Sequence, residues 1–347
     1  MDPASSQIRQ LRDAIEQAFA AKLLSRALRD NAGLLCDAVE TGRQPVDNAT
    51  AEIHALIAGL ATRARGIGLR SCAIADKLVT ELMAFVGVPW FGLAVPGVAD
   101  RANVRTGLVE LRFPAASLWP IAAVPHEVGH LLAQEDRLGA RRVIHEAEPR
   151  GQREELFCDF YATYVLGPAY PAFMILDELD PSLARPDRPF PDPEALAASH
   201  PTPDKRVMVM LKTLASMDKA AGKLASPHAA ATASLAEAWG QRRGNLDDSP
   251  LPDTEMVLTH FVNRLWKGPT STLGPPFPIS PAARTLTNDL MAGATPVPGI
   301  TVLDIVAAAW QARIEKPSLD EAAIARVEQR AIEAAEMVIA RGGVHDD

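Results

Sequence analysis

The segment Leu118–Ala133, LWPIAAVPHEVGHLLA, constrains the fold of this chain more than any other. His126 and His130 stand four residues apart, so on a helix they differ by about 40° around the axis and share one face. The apolar residues on both sides predict a buried helix, and a buried pair of imidazoles needs a partner. A metal ion at roughly 2.0–2.1 Å from each ring is the partner this spacing fits. Glu127 lies to the side of the same face, where it reaches a water at the metal without ligating the metal itself. Zinc lowers the pKa of that water to about 7, so a carboxylate can accept its proton at neutral pH. The expectation is therefore a catalytic zinc held by His126 and His130, with Glu127 as general base. Gly129 costs a helix roughly 1 kcal/mol, which predicts a positional reason for it: the close approach of another element.

Catalytic zinc takes a third protein ligand and keeps a fourth position open. Asp136 and His145 are candidates. Ala133, however, stands where a glycine would let the helix turn toward Asp136, and His145 lies on a connection beside Glu146 and Glu148. Glu155 is the stronger candidate. In REELFCDFYATYVLGPAY, Glu155 and Asp159 share a helix face among Phe157, Cys158, Phe160 and Tyr161. Two carboxylates so placed repel each other unless a cation or a donor compensates. Glu155 as zinc ligand and Asp159 as acceptor for a ligand histidine's ring N–H would satisfy both. Glu154, one position off that face, reads as facing solvent, and Tyr161 and Tyr164 read as core, with assistance at the oxyanion as their alternative role.

The rest of the chain is mostly helical in pattern. Residues 6–40 read as one long helix, followed by helices over 49–65 and 71–85. Only 86–95 (VGVPWFGLAV) and 106–113 (TGLVELRF) carry strand signals, and they are expected to pair as a small antiparallel sheet across the turn-rich 96–105. Further helices are expected over 118–134, 153–170 with an extension to 179, 204–219, 228–241, 253–266, 281–292, 301–315 and 318–341. The proline-rich stretches 181–203 and 268–281 read as irregular. The fold class is thus α+β, predominantly helical. Residues 86–224 form the expected core, between helical flanks at 1–85 and 225–347.

With His126-Glu127-Val128-Gly129-His130 and Glu155-Leu-Phe-Cys-Asp159 in place, the sequence resembles the gluzincin metallopeptidases, which pair HExxH with ExxxD. The segment Ser199-His200-Pro201-Thr202-Pro203-Asp204-Lys205-Arg206 is similar to the HP…R segment of the CAAX prenyl protease and heat-shock membrane protease group. The resemblance spans about residues 105–215. It implies a zincin-like core, zinc on His126, His130 and Glu155, and His200 or Arg206 at the oxyanion of the tetrahedral intermediate. The run FYATYVLGP also resembles soluble HExGH peptidases that act on phage repressors. The strand at 106–113 would then form the upper edge of the cleft, where an extended substrate adds as a further strand.

A net charge of −8 argues against a generic nucleic-acid binder. The apolar stretches are too short and too interrupted by proline to predict a membrane span. Three widely spaced cysteines and a polar N-terminus fit a cytoplasmic protein with reduced thiols. The expected partner is a protein or peptide substrate, with the helical flanks available to a protein partner. The rival reading is a metal-binding regulatory or scaffold protein with little or no proteolysis. The intact set of Glu127 and three ligands favours the enzyme.

Overall fold

The computed structural model describes residues 3–24, 26–43, 45–66, 69–87, 93–97, 101–103, 108–112, 117–133, 144, 150–179, 201–221, 228–243, 258–259, 261–263, 281–293, 298–316 and 319–342. The chain divides into two compact units, Met1–Ser117 and Leu118–Asp347. The expected predominance of helix holds in both. The small sheet and the four helices before it belong to the first unit. Residues 225–347 belong with the HEVGH segment to the second.

The first unit contains α1 (Pro3–Ala20), α2 (Arg26–Glu40), α3 (Val46–Ala64) and α4 (Leu69–Phe85), then β1 (Leu93–Gly97), β2 (Arg101–Asn103) and β3 (Leu108–Arg112). The single helix expected over 6–40 is in fact two. It ends at Ala20, and Lys22 turns into the left-handed region at φ 58°. The amide of Leu23 then donates back to the Ala18 carbonyl at 3.0 Å. The break lets the apolar faces of α1 (Ile8, Leu11, Ile15) and α2 (Leu28, Leu35) enter one core with Ile53 and Leu56 of α3. A continuous rod could not fold back in this way.

The sheet also departs from expectation. β1 and β3 pair in parallel, Leu93 opposite Leu108 through Gly97 opposite Arg112, with β3 in the centre. The antiparallel partner of β3 is β2, which reverses the chain once more between the two strands. Two reversals restore direction, so β1 and β3 run the same way. Gly59 admits β1 against α3: a Cβ there would lie 2.6 Å from the Val95 side chain.

The second unit begins with a 3₁₀ turn, Trp119–Ala123, that leads directly into α5 (Val124–Ala133). It continues with α6 (Arg150–Leu166), the short α7 (Ala169–Phe173) and a π-helical turn at Met174–Glu178. After these come α8 (Pro203–Ala221), α9 (Ala229–Arg243), α10 (Pro281–Ala292), α11 (Val302–Glu315) and α12 (Glu321–Gly342). Most of the helix expected over 253–266 lies outside the described residues. Among those described, no helix is long and apolar enough to cross a membrane.

Both α11 and α12 hold the 3₁₀ turn. Arg313 of α11 lies over the rings of Trp119 and Trp310, at 5.3 and 4.8 Å from their centroids. Its guanidinium donates to both oxygens of Asp177, each at 2.9 Å. Glu328 of α12 accepts the Leu118 amide at 2.7 Å. α11 is itself fixed at its start by a reciprocal cap between Thr301 and Asp304. These contacts set the position and direction in which α5 begins.

Candidate metal centre

α5 is buried along nearly its whole length, including His126 and Glu127, each 7% exposed. Its neighbour is α6, and the two meet at Gly129. A Cβ there would stand 2.9 Å from the Cα of Cys158 and 3.0 Å from its sulfur. That is the close approach the glycine predicted. It brings the first three turns of α6 alongside the two histidines.

The ring nitrogens have distinct surroundings. His126 Nδ1 lies 2.9 Å from the Tyr170 hydroxyl and 3.1 Å from Asp159 Oδ1. The tyrosine spends its one proton on Asp159 Oδ1 at 2.5 Å, so toward His126 it can only accept. A carboxylate can only accept as well. Nδ1 of His126 must therefore carry a hydrogen, an assignment made from the network of partners. His130 Nδ1 lies 2.9 Å from Glu154 Oε1, which fixes its hydrogen in the same way. Both Nε2 atoms turn to one residue: His126 Nε2 is 3.3 Å from Glu155 Oε2, and His130 Nε2 is 3.5 Å from Glu155 Oε1.

Behind this arrangement stands Arg206 of α8. Its Nε and Nη2 donate to the two oxygens of Asp159, both at 2.7 Å. Nη2 also lies 3.4 Å from the Tyr170 hydroxyl and 3.9 Å from Glu155. Asp159 is fully buried, and four donors on three other elements explain how it can be. Arg206, expected at an oxyanion by resemblance, is thus committed to Asp159. His200, Asp136 and His145 lie outside the described residues.

The charges follow from these contacts. Burial alone would raise the Asp159 pKa, but the charge and hydrogen bonds of Arg206, then those of His126, hold it below the usual range. Burial likewise opposes ionisation of Glu155. His126, Arg206 and His130 overcome it, to about 2. Burial should pull the His126 pKa down, yet hydrogen bonds to Asp159 and Glu155 and their charges raise it to about 10. Glu154, Glu155 and Asp159 converge on the two rings, and Arg206 lies on Asp159. These anions favour positive charge at the His126 ring. A divalent ion between the two Nε2 atoms and Glu155 would supply positive charge there.

The donor set fits such an ion. Zinc at 2.0–2.2 Å from each nitrogen or oxygen in a tetrahedron requires neighbouring donors roughly 3.3 Å apart. The observed spacings to Glu155 are 3.3 and 3.5 Å. Cys158 competes for the third position, since its sulfur lies within 4.8 Å of a ring nitrogen of each histidine. Burial, and then the charges of Glu155, Glu154, Asp159 and Glu127, push that thiol well above its ordinary pKa. Glu155 faces both rings, with its carboxyl held low.

Two participants, Glu154 and Tyr170, escaped the sequence reading. Glu154, expected to face solvent, accepts from His130 with its side chain 31% exposed. Tyr170, rather than Tyr161 or Tyr164, is the tyrosine of the network. Among the described residues, the hydroxyl of fully buried Tyr161 has no hydrogen-bond partner. Arg206 works through Asp159. Comparison with protein-family models, with curated proteins and with solved structures found no match to this chain.

Proposed function

We propose that this chain is a zinc-dependent endopeptidase with a gluzincin-type site, acting on a restricted protein target. The observation that carries the reading is the convergence of His126 Nε2 and His130 Nε2 on the two oxygens of Glu155, with both Nδ1 hydrogens already engaged. His126, His130 and Glu155 hold the metal. When bound, zinc supplies Lewis acidity, lowering the pKa of water to about 7 and polarising a carbonyl. Glu127, buried on the same helix, takes the proton from the attacking water and passes it to the leaving amine. Asp159 orients His126 and is itself fixed by Arg206 and Tyr170. Arg206 is therefore a positioning residue.

Metal analysis of the purified chain tests the ligands, and Glu127→Gln tests the chemistry. Wild type is expected to hold about one zinc per chain, and Glu155→Ala far less. Glu127→Gln is expected to keep its zinc while cleavage of a denatured-protein or peptide-library substrate falls by about 10²–10⁴-fold. Undiminished metal in Glu155→Ala would move the third ligand to Cys158, Asp136 or His145. Equal cleavage by Glu127→Gln would end its assignment as the base. Zinc binding with no cleavage by wild type would favour the regulatory or scaffold reading.

A further inference from the structure

The two ligand histidines are not held alike. His126 is 7% exposed, and its Nδ1 hydrogen faces Asp159 and Tyr170, which are themselves braced by Arg206. His130 has a side chain 21% exposed, and among the described residues its Nδ1 faces the Glu154 carboxylate at 2.9 Å. Glu154 precedes the proposed ligand Glu155 in the chain. On a helix, adjacent residues diverge by about 100°, so the pair straddles one imidazole: Glu155 Oε1 stands 3.5 Å from Nε2 while Glu154 Oε1 takes Nδ1.

We infer that Glu154 is the positioning residue for His130: its carboxylate fixes the Nδ1–H tautomer and ring orientation, keeps the Nε2 lone pair toward the metal, and thereby sets metal affinity. The inference rests on the proposed zinc site but goes beyond it, because that site requires only the three ligands and the base. Carboxylates that accept a ligand histidine's second ring hydrogen also raise the basicity of the coordinating nitrogen, and their loss typically costs 10–100-fold in affinity. A histidine held by a partly exposed acceptor is the ligand whose grip a single substitution can loosen. The corresponding change at His126 would instead disturb a buried network that the fold needs.

The test is a comparison of the full-length wild type with Glu154→Ala and Glu154→Gln. Three quantities are measured: zinc affinity by competition with a chromophoric chelator, the visible spectrum of the cobalt-substituted protein, and the melting temperature of chelator-treated protein. Glu154→Ala is expected to weaken zinc binding by about 10–100-fold and to shift the cobalt bands, because the His130 ring is released. Its chelator-treated melting temperature should stay at the wild-type value, since the lost contact lies at a partly exposed edge. Glu154→Gln retains a carbonyl acceptor for Nδ1–H and is expected to recover most of the affinity and the wild-type cobalt spectrum. Zinc affinity in Glu154→Ala within about twofold of wild type, with unchanged cobalt bands, would overturn the inference and leave the zinc site standing. So would a glutamine variant as weak as alanine. If wild type itself binds neither metal, the zinc reading fails and the inference falls with it.

Discussion

Each unit of the molecule contains an arginine–aspartate pair drawn in from the surface, and the two pairs behave oppositely. In the first unit, Arg63 Nη2 meets Asp76 Oδ2 at 2.6 Å, while Asp76 Oδ1 accepts the Ala94 amide at 2.5 Å. Burial still wins there, and the Asp76 pKa is raised. In the second unit, Asp159 is more deeply buried, yet its pKa is lowered. The ion-pair distances are nearly equal, so distance does not explain the difference. What differs is the number and charge of the donors. Asp159 has a two-pronged guanidinium, a tyrosine hydroxyl and an imidazole, while Asp76 has one guanidinium prong and one backbone amide. Asp76 ties α3, α4 and β1 together. Asp159 is provisioned to remain an anion where no water reaches it.

The largest break in this comparison should come from Asp159→Ala. It leaves Arg206, with a side chain 13% exposed, as a buried charge without its partner, and the unfolding free energy in urea is expected to fall by about 3–5 kcal/mol. A loss below about 1 kcal/mol would mean that the network is not structural. Next comes Gly129→Ala. The added methyl meets the backbone of Cys158, which cannot rotate away, so a cost of about 1–3 kcal/mol is expected. Zinc affinity should fall with it, as α5 and α6 are pushed apart. Unchanged affinity would show that the donors can follow the helices.

The smallest stability effect is expected from Asp76→Asn. The amide keeps an acceptor for Ala94 and Arg63 and removes a charge that burial already disfavours, so about 1 kcal/mol or less is at stake. Its pH dependence sharpens the contrast. A raised folded-state pKa means that Asp76 contributes stability present below 3.8 and lost as pH rises through the raised value. Asp159 is the mirror case: its contribution is present above 3.8 and lost as pH falls through its lowered value. Unfolding free energies of wild type and of each Asn variant across acid pH should therefore diverge on opposite sides of 3.8. Divergence on the same side would cancel the distinction between the two pairs.

The sequence was most legible where one residue type could satisfy only one geometry. Two histidines four apart in apolar flanks, a costly glycine between them, and paired carboxylates among aromatics each had a single economical explanation. Glu154 was misread because a carboxylate beside another carboxylate, near a helix start, has solvent as its default partner. Its true partner lies on a different helix, 24 residues away. Tyr170 stands beyond the Gly167 break at φ 58°, so the periodicity of α6 said nothing about where it would point. The break after Ala20 involves no glycine or proline, and Lys22 gives no warning of a left-handed turn. The parallel pairing of β1 and β3 depends on β2, a three-residue strand inside a segment whose composition reads as turn.

The contact between Gly129 and Cys158 also makes the sulfur a kinetic reporter. Cys158 is wholly enclosed, and its pKa is pushed well above the ordinary thiol range, so it reacts with an alkylating reagent only when α5 lifts from α6. Its labelling rate then counts helix-opening events, much as amide exchange counts the breaking of backbone hydrogen bonds. An ion that ties His126 and His130 of one helix to Glu155 of the other must oppose that opening. The same close contact that sets the distance between the proposed ligands would turn their cross-linking into a clock, readable as slower loss of a free thiol, with no need to know the substrate.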